Sequence, residues 1–160
     1  VKDKDGAYPE FEKWSESFQA VAKDMKQQDK DTTRMNWYSD ASKAIIKATL
    51  ESIEEFISTK TDAPVSIIVA ARMNRMWMYF LNSDFDKAIA ENKALTQLQL
   101  DLEEELATAK KDKVKIDKTK KKSMEAAIDG IKYNHFDELL ILYTEYPARY
   151  ENNAATLGWK

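Results

Sequence analysis

Phe11, Trp14, Phe18, Val21 and Met25 recur at steps of three, four, three and four, which places five apolar side chains on one helical stripe. This predicts a first helix over residues 9–30, with Pro9 in the first turn, where its missing N–H leaves no bond unmade. The polar "QQDKDTTR" separates it from a second helix over 37–58, with Ile46, Leu50, Ile53 and Ile57 on one stripe. Ala41, Ala44, Ile45 and Ala48 lie beside that stripe, and the alanines would let a neighbouring helix approach closely. "STKTDAP" then forms a turn, with Asp62 as N-cap and Pro64 in the first turn of a third helix.

The third helix contains "VAARMNRMWMYFL", residues 69–81, an apolar stretch that nevertheless holds two arginines and an asparagine. At 100° per residue, Ile68, Arg72, Arg75, Tyr79 and the terminal Asn82 fall within a wedge of roughly 80°. Val69, Ala70, Ala71, Met73, Trp77, Met78, Phe80 and Leu81 occupy much of the remaining circumference. A helix apolar around most of its girth must be enclosed by others. The third helix is therefore expected to be central and the most buried, its arginine stems packed and their heads reaching water or carboxylates. Asn74 lies inside the apolar arc and needs a hydrogen-bond partner there.

"NSDFD" marks the next break, with Ser83 as N-cap and Asp86 completing a capping box. A fourth helix follows over 84–111, its seam formed by Phe85, Ala88, Ile89, Leu95, Leu98, Leu102, Leu106 and Ala109. "KVKID" interrupts the helical period, so 112–121 reads as an exposed connection. A fifth helix is expected over 123–146, with Met124, Ile128, Ile131, His135, Leu139, Leu142 and Tyr146 facing inward. Pro147 ends it, and a short C-terminal helix over 148–156 is closed by Gly158. The reading is all-α: one domain over 1–160, an antiparallel bundle of about five helices plus the short C-terminal one, with 1–8 and 112–121 flexible or exposed. "FDKAIAENKAL", residues 85–95, is similar to the second half of a tetratricopeptide helix pair. The period is not repeated and the turn glycine is absent, so no repeat array follows.

Composition agrees with this reading. Three glycines and three prolines are too few to punctuate an all-β or α/β fold of 160 residues. No apolar run approaches the roughly 20 residues of a membrane-spanning helix. The net charge of −3 supplies no field to hold nucleic acid or an anionic membrane. The chain starts at Val1 with the polar "KDKDGAYPE", which fits a mature protein whose leader has been removed or a trimmed chain. An extracytoplasmic location, periplasmic or secreted, is the expectation, with the cytoplasm as the alternative and a lipid anchor outside the given sequence compatible with it.

Chemistry is constrained by what is missing. Without cysteine there are no disulfides, thiolate nucleophiles or cysteine metal sites. One histidine, no G-x-S-x-G and no H-E-x-x-H leave no recognisable hydrolase or zinc arrangement. Lys132, three residues before His135, rules out a Glu-x-x-His di-iron motif. "NSDFDK" imitates a calcium loop, but Lys87 and Lys93 replace its turn glycine and closing glutamate. His135 with Met73, Met76 or Met78 could ligate haem, although a lone inward histidine is far more often structural. The expectation is a non-enzyme with no metal or cofactor.

Two surfaces remain as candidates. Between residues 84 and 105 seven acidic side chains face two basic ones, whereas eight lysines face two aspartates between 110 and 122. Within that lysine block, Lys113, Lys115, Lys118, Lys120, Lys121 and Lys122 are candidates for binding a partner protein with an acidic surface, with a phospholipid headgroup or nucleic acid as alternatives. The structural alternative is a solvated loop beside a helix end whose dipole the lysines compensate. The block lacks the interleaved aromatics of a single-strand nucleic-acid surface. Arg72, Asn74, Arg75, Tyr79 and His135 could line a pocket for an anionic small ligand between helices three and five, the structural alternative being ion pairs. The preferred function is protein–protein contact, as an accessory lipoprotein, adaptor or inhibitor, with another protein as partner; a small-ligand carrier is second.

Overall fold

The computed structural model describes residues 8–31, 39–82 and 84–138, with the side chains of 25–31 outside the description. The described residues form an all-α bundle of five helices: α1 (Glu10–Asp31), α2 (Asp40–Thr59), α3 (Val65–Leu81), α4 (Phe85–Lys111) and α5 (Lys118–Lys132). Among the described residues there is no strand.

The α3 helix is central, packing against each of the other four, while α1 pairs with α2 and α4 with α5. None of its residues is exposed. Its two apolar faces serve separate cores. Ile67, Ala71, Met78 and Leu81 pack with Phe11, Trp14 and Val21 of α1 and Ile46, Ile53 and Phe56 of α2. Val69, Met76 and Phe80 pack with Ala88, Leu95 and Leu102 of α4, Met124, Ala127, Ile128 and Ile131 of α5, and Phe136. At 100° per residue these two sets lie roughly 180° apart, so one helix closes both cores. Each buried large side chain contributes about 1.5–3 kcal/mol of transfer free energy.

Local details depart from the expected pattern for identifiable reasons. The buried line of α2 is Ser42, Ile46, Thr49, Ile53 and Phe56, while Ala41, Ala44 and Ala48 are exposed. The helix is turned to seat Phe56 edge-on against Tyr8, Phe11 and Trp14, with centroids 5.9, 5.5 and 5.2 Å away. Its buried hydroxyls are satisfied, Thr49 donating to the Ile45 carbonyl at 2.8 Å and Ser42 to Asp24 at 2.6 Å. That Asp24 carboxylate, from α1, also accepts from Ser39, the N-cap that starts α2 at Asp40. Phe18, expected inside, is 41% exposed.

The N-terminus of α3 is capped from outside. Pro64 occupies the N-cap position with no side-chain bond, Asp62 plays no capping part, and the Ser123 hydroxyl of α5 accepts the Ser66 N–H at 2.9 Å. The α5 helix starts at Lys118 rather than 123 because Asp117 caps it, accepting from the Thr119 and Lys120 N–H groups at 3.1 Å each. The true connection is therefore residues 112–117. The helix stops at Lys132, and the backbone turns through His135 at φ 55 before becoming helical again at Phe136. The expectations for residues 1–7, Trp37, Ser83, Leu139, Leu142, Tyr146, Pro147, 148–156 and Gly158, and for the Met25 side chain, lie outside the described residues.

Candidate functional site

The polar edge of α3 falls between its two apolar faces, facing outward between α2 and α4. Arg72 donates through Nε to one carboxylate oxygen of Glu91 at 2.7 Å, and Arg75 through Nη2 to the other at 2.7 Å. Arg75 also donates through Nη1 to Glu54 of α2 at 3.0 Å, and the Tyr79 hydroxyl donates to the same Glu54 oxygen at 3.3 Å. Two guanidinium groups thus meet two carboxylates, and the chain of contacts runs from α2 over α3 to α4. Glu91 is 8% exposed, Arg72 22% and Arg75 16%, whereas Glu54 is 52% exposed. The inner part of the network is consequently poorly screened and its outer end well screened.

Burial works against the charge on Arg75, but Glu91 and Glu54 outweigh it and raise the guanidinium pKa above its usual value. Desolvation, reinforced by Glu54, raises the Tyr79 phenol. Lys87 lies 5.7 Å from the Tyr79 ring centroid, a cation–π contact on the exposed side. One group is left over: Arg75 Nε is buried without a hydrogen-bond partner.

Of the five residues expected to line a ligand pocket, this arrangement unites Arg72, Arg75 and Tyr79. Asn74 points elsewhere and spends its amide on the Ala70 carbonyl one turn back, at 2.9 Å. His135 is not inward: it is exposed, beyond the end of α5, and no hydrogen bond or ion pair joins it to the arginines. The haem pairing loses its inward histidine with it: Met76 and Met78 are fully buried in opposite cores and Met73 packs against the core shared with α4 and α5, whereas His135 is on the surface. Glu91 and Glu54 were not expected at the site. For Glu91 a signal existed: Ala88, Glu91, Leu95, Leu98 and Leu102 step by three, four, three and four, which puts a carboxylate on the buried seam of α4.

The lysine-rich end is the second candidate. Lys113, Lys115, Lys118, Lys120, Lys121 and Lys122 are all exposed. Lys120 lies 3.4 Å from Glu105, and the other five have no carboxylate partner among the described residues. Helix-end compensation accounts for Lys110 and Lys111 in the last turn of α4. It does not account for Lys118, Lys120, Lys121 and Lys122, which crowd the positive end of α5 with no acidic residue in its first turn. Beside them, between α4, the connection and α5, opens a cleft of about 650 Å³ lined by Glu105, Asp112, Val114, Ile116 and Lys120 among others. Its lining includes no residue of the arginine network. Among the described residues, no cluster of three or more histidines and acids could hold a metal, and no helix is long and apolar enough to cross a membrane. No family model, curated protein or solved structure matches this chain.

Proposed function

We propose that the protein is a non-enzymatic helical-bundle module that binds another protein, and that the contact is made by Lys113, Lys115, Lys118, Lys121 and Lys122 against an acidic surface. The observation that carries this reading is the placement of lysines at the N-terminus of α5. Cations there oppose the helix dipole at about 0.3–1 kcal/mol each, and Asp117, with Glu105 beside Lys120, offsets them only in part. A charge arrangement that costs stability, with no carboxylate partner for Lys118, Lys121 and Lys122 among the described residues, is the kind of local conflict expected at a binding surface. Val114, 61% exposed at the tip of the connection, adds an apolar contact beside the lysines. The carrier alternative has less support, since an anion entering the arginine edge would have to displace Glu91 or Glu54 from bonds of 2.7–3.0 Å.

The test is affinity capture on the tagged full chain in extracts of its source, compared without cross-linker against a variant carrying Lys115, Lys118, Lys121 and Lys122 each changed to Glu, with lysine-directed cross-linking of the native chain locating the contact. A partner recovered by the native chain, cross-linked within residues 113–122 and lost from the variant, is the expected result. Identical partners for both proteins, or cross-links only elsewhere, would refute it.

A further inference from the structure

The longest helix, α4, has a second heptad pattern on the side turned away from the cores. Asp86, Ala90, Lys93, Gln97, Leu100, Glu104, Ala107 and Lys111 step by four and three alternately along the whole helix, and every one is exposed. That spacing keeps the eight in a single stripe, the geometry by which one helix lies along another. Leu100 is 50% exposed in the middle of it.

Run backwards, the stripe is complementary to itself. With the centre set between Gln97 and Leu100, Asp86 meets Lys111, Ala90 meets Ala107, Lys93 meets Glu104 and Gln97 meets Leu100. Every charged position thereby finds an opposite charge, and the small residues face each other so that two backbones can approach. We propose that this face pairs two copies of the chain, their α4 helices antiparallel about a two-fold axis. The charge order argues for this occupant, because a reversed copy of the same stripe presents lysine and acid at matching heights. Gln97 is already tied to Asp101 of its own helix at 2.9 Å, leaving Leu100 as the apolar knob at the centre. One helix pair covers less than the roughly 1,200–2,000 Å² of a tight complex, so the association is weak and sensitive to salt. It does not rest on the lysine-end contact proposed above.

Sedimentation velocity of the full chain, from about 10 μM to about 1 mM at low salt, tests this. The weight-average mass should rise with concentration toward twice the 18.5 kDa of one chain. Lys93→Glu makes two symmetry-related pairs repulsive and should weaken association about tenfold or more. Adding Glu104→Lys to that variant restores both pairs and should return association to near the native level. Three results would overturn the proposal: a single-chain mass throughout, a Lys93→Glu variant that associates like the native chain, or a double variant as weak as the single one. All substituted positions are exposed, and far-UV circular dichroism confirms that each variant keeps its helices.

Discussion

Replacing Glu91 by Gln keeps its shape and removes its charge, which isolates the electrostatic contribution of the arginine edge. The carboxylate is 8% exposed and accepts from two guanidinium groups, one on each oxygen. The Gln amide nitrogen would be turned toward one of those donors, so one hydrogen bond is replaced by an N–H facing an N–H. Breaking a fully buried ion pair from one side costs about 3–5 kcal/mol. Arg72 and Arg75 keep 22% and 16% exposure and Arg75 retains Glu54, so about 2–3 kcal/mol is expected. The control is Glu54→Gln, whose carboxylate is 52% exposed and should cost no more than about 1 kcal/mol. A third variant, with Arg72 and Arg75 changed to Met and Glu91 to Leu, removes all three charges together, so none of them is left buried without its partner. It should fall within about 1 kcal/mol of the native chain or exceed it. Urea unfolding followed by circular dichroism measures all three, urea being uncharged and leaving ion pairs unscreened. A Glu91→Gln chain within about 0.5 kcal/mol of native, or Glu54→Gln as damaging as Glu91→Gln, would show that depth does not govern this network.

Other consequences are as direct. Because the folded-state pKa of Tyr79 is raised above 10.0, its contribution is fully present below that pH and is lost as pH rises through the folded value. Stability should therefore hold through neutral pH and fall in the alkaline range, and Tyr79→Phe should reduce that alkaline slope in denaturation curves taken at a series of pH values. Lys113 holds φ 55 at the end of α4, where the Val114 N–H bonds back to the Ala109 carbonyl at 2.9 Å. A glycine there escapes the left-handed penalty, so Lys113→Gly should raise the melting temperature by about 2–4 °C, corresponding to about 1 kcal/mol, with a lowered value counting against the strain. Asp117→Ala removes the cap of α5 and one negative charge that offsets its N-terminal lysines. A loss of about 1–2 kcal/mol is expected, and it should shrink when Lys118 and Lys121 are also neutralised.

The helical periods made the bundle and the central place of α3 legible, because an apolar arc that wide has no stable position at a surface. The arginine edge was equally visible as a wedge. What completes it is not, since Glu91 belongs both to the acidic block of α4 and to the seam that buries it, and charge density alone does not separate the two. Glu54 lies on the half-exposed side of α2, where no periodicity separates a bridging carboxylate from a solvated one. His135 continues the inward stripe of α5 by spacing, but it lies beyond the end of the helix at Lys132. The stripe holds through Ile131, and then the chain takes a left-handed residue that period counting does not register. The lysine density hid the start of α5, although Asp117 was available as a cap.

Because α3 closes both cores, neither core of the described residues is complete without it. A fragment ending near Lys60 would keep the α1/α2 hairpin with its aromatic face bare, and one beginning at Val65 would carry an uncovered strip of Ile67, Ala71, Met78 and Leu81. Neither hairpin can be excised, swapped or grafted alone without becoming sticky, so any minimal version or chimera must carry α3 together with both of its flanks.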